Sequence, residues 1–117
     1  MAVSLCVGDR TFALELCERG GQWTAEARDA ATGLPAGPAA VADTAEAAVE
    51  RVTRWLEWQQ EHALVLERLQ ECERAYHRLV TGSAFGSVEM SDLQREALLE
   101  IEDARRRLDA VRQRQPR

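Results

Sequence analysis

The chain has 117 residues, 45% of them hydrophobic and 30% charged, with a formal net charge of −5. That length bounds it to one domain, or a small domain with an appendage. It has no run of about 18 apolar residues, which excludes a membrane span. Its three cysteines, Cys6, Cys17 and Cys72, are odd in number and irregularly spaced, which excludes a disulfide framework and fits a reducing compartment. All 15 basic residues are arginine, and the chain has no lysine or asparagine, a single isoleucine (Ile101) and 19 alanines. This usage reads as a GC-rich bacterial genome, so the arginines carry no special claim to phosphate chemistry. No basic, apolar leader opens the sequence, and a cytoplasmic location is expected.

The first thirty residues read as a β-meander. Val3, Leu5, Phe12, Leu14 and Leu16 recur at period two, as in half-buried strands. Gly8-Asp9 suits a type II′ hairpin turn and pairs Leu5 with Phe12 and Val3 with Leu14. Gly20-Gly21 makes a second two-residue turn, pairing Leu16 with Ala25, Leu14 with Ala27 and Glu18 with Trp23. Both turns put the apolar residues on one face. The opposite face, with Ser4, Cys6, Thr11, Ala13, Glu15, Cys17, Thr24, Glu26 and Arg28, is small and polar.

Residues 29–42 form an Ala/Gly/Pro-rich connector with room for a short extended piece at 39–42. Asp43 with Glu46 reads as a capping box, with Asp43 as the N-cap. A helical pattern then runs to Val80, with Gly82 as a stop signal. At 1.5 Å per residue such a helix is about 55 Å long, more than a small sheet can cover. Ala45, Ala48, Val49, Val52, Leu56 and Ala63 form its sheet-covering face, with Trp55 at the sheet margin. From Trp58 the pattern becomes a 4-3 seam: Trp58, His62, Val65, Leu69, Cys72, Tyr76 and Leu79.

After a loop over 81–90, Ser91 with Gln94 reads as a second capping box. The last helix carries a matching seam of Ala97, Ile101, Ala104, Leu108 and Val111. Acidic residues crowd its start and arginines its end, as the helix dipole favours. The expected fold class is therefore α+β: a three-stranded antiparallel meander, then a long helix and a second helix forming an antiparallel coiled-coil-like hairpin. Residues 1–57 would make a head and 58–117 an arm, joined as one continuous unit.

Candidate chemistry is sparse. The cysteines and histidines have no metal-ligand spacing, and Cys72 reads as a small apolar seam residue. His62 reads as a boundary residue and His77 as a solvated neighbour of Tyr76. The serines lie in no nucleophile pattern. The Gly/Ser-rich loop 81–88 lacks the Lys-Ser/Thr of a phosphate loop. No enzyme activity, cofactor or small-molecule substrate is expected. Six of the last thirteen residues are arginine. Arg105, Arg106 and Arg107 nevertheless point three ways around a helix and no aromatics lie near, so nucleic acid is not the expected partner.

Apolar residues off the seam, Leu64, Leu66, Leu98 and Leu99, exceed what two helices can bury. The expected function is a non-catalytic protein-interaction or assembly module, self-associating as a homodimer through the hairpin and serving a further, unidentified protein partner. The contact residues singled out are Trp58, Leu66, Phe85, Leu98 and Leu99. Phe85 stands out as an aromatic that a plain connection does not need, either tucked between the helix ends or exposed as an anchor.

Phe12–Leu16, Gly20–Ala27 with Trp23, the Gly33–Pro38 connector and the helix start at Ala42-Asp-Thr-Ala-Glu-Ala-Ala lie in an order that resembles the N-terminal part of HicB-type antitoxins. The resemblance covers residues 12–58. It implies a sheet–helix unit used for partner binding and oligomerisation, and an alternative function as an antitoxin or regulator binding a toxin or nucleic acid. The sequence departs from that family after Trp58. No helix-turn-helix or ribbon-helix-helix segment follows, and a helical hairpin stands in its place.

Overall fold

The computed structural model describes residues 2–82 and 88–116. Strands β1 (Ala2–Val7), β2 (Arg10–Arg19), β3 (Gln22–Asp29) and β4 (Ala40–Ala42) are followed by helices α1 (Ala45–Gly82) and α2 (Val88–Gln113), an α+β chain. By its internal contacts the chain divides into a head, Met1–Gln60 with Gln115–Arg117, and an arm, Glu61–Arg114.

In the head, the antiparallel sheet has the order β1-β2-β3-β4. The expected register is observed: Leu5 faces Phe12, Val3 faces Leu14, Leu14 faces Ala27, Leu16 faces Ala25 and Glu18 faces Trp23. The turns explain why. Gly8 has φ of 62° and Asp9 does not have positive φ, as a II′ turn requires, whereas Gly20 and Gly21 have φ of 58° and 81°, the I′ pattern. Either geometry leaves two residues in the loop and fixes the pairing.

The meander gains a fourth strand. Ala40–Ala42 pairs with Trp23–Ala25 at the β3 edge, and Arg51 Nη1 donates to the Val41 carbonyl at 2.6 Å, tying this strand to α1. Phe12, Leu14, Leu16, Ala25, Ala27 and Ala42 from the sheet, with Ala48, Val52 and Leu56 from α1, form one buried cluster. Alanines on both sides of this contact, Ala25, Ala27 and Ala48, let helix and sheet approach closely.

Three helix details differ from expectation. The N-cap of α1 is Thr44 rather than Asp43: the Ala47 N–H donates to Thr44 Oγ1 at 3.1 Å. Glu46 then falls at the second helical position, where it faces the positive end of the dipole without closing a capping box. Helix α2 begins at Val88, so Ser91 is its fourth residue and not its cap. Glu and Met at 89 and 90 are good helix formers and extend the helix backwards. Ala63 is exposed instead of covering the sheet. By that point the buried stripe of α1 has shifted to Leu69 and Cys72, flanked by half-buried Val65, and Ala63 lies about 120° from Leu69 at 100° per residue.

In the arm, Leu69, Cys72, Ile101, Ala104 and Leu108 form a second buried cluster, flanked by Val65, Leu66 and Tyr76. The helices run antiparallel. Glu61 and His62 on α1 meet Arg114, just past the end of α2, and Arg112 on α2, at 2.8 Å and 3.4 Å. These contacts are consistent with Cys72 lying opposite Ile101 and Leu69 opposite Ala104 within that cluster. Among the described residues, no helix is long and apolar enough to cross a membrane.

Candidate interaction surface on the helical arm

A concave feature of the arm gathers several of its side chains. Glu73, Tyr76 and His77 on α1 and Leu98, Ile101, Glu102 and Arg105 on α2 line a groove of about 230 Å³ along one side of the hairpin. Helical spacing explains the gathering: 73, 76 and 77 are three and four residues apart on α1, as are 98, 101, 102 and 105 on α2. Leu98, Ile101 and the Tyr76 ring supply apolar floor. Glu73, Glu102 and Arg105 supply a rim of both signs.

The leucines expected to carry contacts stand in different positions. Leu98 is 44% exposed and lines the groove, whereas Leu99, 58% exposed, is turned a further 100° around α2, away from the seam. Leu64 is 60% exposed on α1. Leu66 is half-buried against the arm cluster. Trp58 belongs to the head, where it packs against Trp55 with ring centroids 5.3 Å apart and planes tilted by 43°. Phe85 lies outside the described residues. Within the arm, the structure thus brings Leu98 together with the seam residues Tyr76 and Ile101 and leaves Leu99 off the groove.

The ion pairs found on the arm are local. Arg107 pairs with Asp103 at 3.1 Å, Arg68 with Glu71 at 3.8 Å and Arg114 with Glu61 at 2.8 Å. The Arg112 guanidinium donates to His62 Nε2. His77 stands edge-on to Tyr76, with centroids 6.1 Å apart, and is exposed. Cys72 is buried in the seam, and Cys6 and Cys17 are exposed on the sheet. No group of three or more His, Cys, Asp or Glu side chains able to hold a metal occurs among the described residues.

The head holds two features that the periodicities did not reveal. Asp29 ends β3 as a hub: its Oδ1 accepts from the Ala31 and Thr32 N–H groups at 2.8 Å and 3.3 Å, and its Oδ2 pairs with Arg10, which also sits over the Phe12 ring. The Arg10 hydrogen bond, helped by the backbone donor of Ala31, holds the Asp29 carboxyl below the usual carboxylate range. The signal available in the sequence was Asp-Ala-Ala-Thr after a strand, an Asx-turn pattern. Separately, the Trp55 indole N–H is buried without a partner, and Gly37 lies so close that an added Cβ would stand 2.6 Å from Nε1. That approach between a connector glycine and a helix tryptophan has no local sequence signature.

Comparison with known protein families, curated proteins and solved structures gives no match.

Proposed function

We propose that the chain is a non-catalytic protein-interaction module that self-associates through its helical arm, two hairpins packing into a four-helix arrangement. The observation that carries this reading is the exposure of Leu98 beside the groove, next to a small buried cluster that holds five of the described residues. A second hairpin laid along that side would cover Leu98 and the Tyr76 edge. The rim carries both signs, so two copies related by a two-fold axis can set Arg105 of each against Glu73 or Glu102 of the other. Sedimentation equilibrium of the full chain tests the reading: at a given concentration, Leu98→Glu/Leu99→Glu is expected to lower the mass reached by the wild type by a factor of about two. A monomeric wild type, or a dimer untouched by the double change, would overturn it.

The strand–strand–connector–helix order of residues 12–58 supports a second reading, a HicB-like antitoxin or regulator, with the exposed Arg112 and Arg114 of the C-terminal arginine tail offered to a nucleic acid. It requires retention on DNA or RNA that weakens with salt and is lost on truncation after Leu108. Retention unaffected by the truncation, or none at all, would remove the nucleic-acid contact from the arginine tail.

A further inference from the structure

The two edges of the head sheet are finished differently. The β4 edge is three residues long, follows Pro38, and has the Val41 carbonyl occupied by Arg51. Short strands, prolines and side-chain cover are the ordinary ways of closing an edge to further pairing. The β1 edge has none of them. It is six residues long, Ala-Val-Ser-Leu-Cys-Val, with no charge, proline or glycine.

The hairpin decides which backbone groups this edge offers. In a two-residue hairpin the pair flanking the turn, Val7 and Arg10, exchanges both backbone hydrogen bonds, and the pattern alternates from there. Val7, Leu5 and Val3 therefore bond inward to β2, while Ala2, Ser4 and Cys6 turn their N–H and C=O groups outward. Among the described residues, no backbone hydrogen bond to these outward groups is found. The apolar face also runs out at this edge: Leu14 is fully buried, but Val3, paired with it, is 37% exposed.

We infer that β1 pairs antiparallel with β1 of a second copy, joining two heads into one continuous sheet about a two-fold axis at Ser4. The occupant is set by self-complementarity. With Ser4 opposite Ser4 of the second copy, Ala2 faces Cys6 in both directions, and every outward-turned residue of the strand becomes part of a hydrogen-bonded pair. Val3 then lies opposite Leu5 of the second copy on the core face, extending the apolar row over the gap at the edge. Two copies of one strand place any charge near its own like, and β1 carries none. This contact is in the head and is independent of the arm contact proposed above.

Cross-linking tests it in the full chain. In Ser4→Cys, with Cys6→Ser and Cys17→Ser and buried Cys72 retained, the two introduced thiols would sit on Cα atoms about 5.5 Å apart, within disulfide range. Under oxidised glutathione a disulfide-linked dimer is expected on the order of tenfold faster than for the control retaining only Cys17 and Cys72. The rate should be unchanged when Leu98→Glu/Leu99→Glu is added, which separates this contact from the arm. Ser4→Pro removes only an outward N–H, which an edge strand tolerates. Placed in the Leu98→Glu/Leu99→Glu chain, it should abolish any rise of mass with concentration. Cross-linking no faster than the Cys17 control, or dependent on the arm leucines, would overturn the inference and leave the edge to a foreign strand.

Discussion

Leu14→Ala is the sharpest probe of the head. Leu14 has 0% exposure, lies in the middle of β2 between Val3 and Ala27, and faces α1. The substitution deletes three carbon groups, worth about 2.4 kcal/mol in transfer free energy at about 0.8 each. The cavity adds to that cost, because the surrounding small residues, Ala25, Ala27 and Ala48, have no side-chain length with which to collapse into it. The expected loss is about 4 kcal/mol, in the upper part of the range for buried leucines. The assay is urea unfolding followed by tryptophan fluorescence. Trp23, Trp55 and Trp58 all belong to the head, so the signal reports this unit. With a slope of about 2 kcal/mol per molar the midpoint falls by about 2 M. Val3→Ala, on the same row but exposed, should cost under about 1 kcal/mol. A loss below about 1.5 kcal/mol for Leu14→Ala would refute the packing of α1 on this face.

Thr44→Ala should cost the head about 1 kcal/mol in the same assay, and Asp43→Ala clearly less, because the cap hydrogen bond is made by Thr44. Gly37→Ala should destabilise the head by about 1–3 kcal/mol, since the new methyl group meets the Trp55 ring. Asp29 gives a pH signature. Its folded pKa lies below its unfolded value, so its contribution to stability is complete above the unfolded pKa and is lost as pH falls through the lowered folded one. The carboxyl carbon of Asp29 should titrate below the usual carboxylate midpoint, and Arg10→Ala should move that midpoint upward. An unmoved midpoint would break the assignment of Arg10 as its main cause.

Much of the head was legible because two tight turns and a period-two pattern constrain each other. Once Gly8-Asp9 and Gly20-Gly21 are fixed as two-residue loops, every cross-strand partner from Ala2 to Asp29 follows, and a slip by one would expose Leu14 and Leu16. Strand β4 was less legible. Ala-Val-Ala is too short for periodicity, and its place depends on β3 and on Arg51 reaching from α1. The cap was ambiguous because Asp43 and Thr44 are both good N-caps, and the backbone at one residue decides between them. On the arm, the buried residues Leu69, Cys72, Ala97, Ile101, Ala104, Leu108 and Val111 were readable from 4-3 spacing. The groove was not, because it depends on which flanks of two helices meet. Trp58 fits the seam spacing, yet it also stands three residues from Trp55, and in the head these two rings pack together.

The central claim, that copies of this chain meet along the Leu98 side of the arm, is tested most directly by isotope-filtered NMR on an equimolar mixture of labelled and unlabelled chains. The account predicts intermolecular cross-peaks at the Leu98 methyl groups, with partners among protons lining the groove, Tyr76 and Ile101. Intermolecular cross-peaks confined to the head, or none at concentrations where the mass is dimeric, would contradict it.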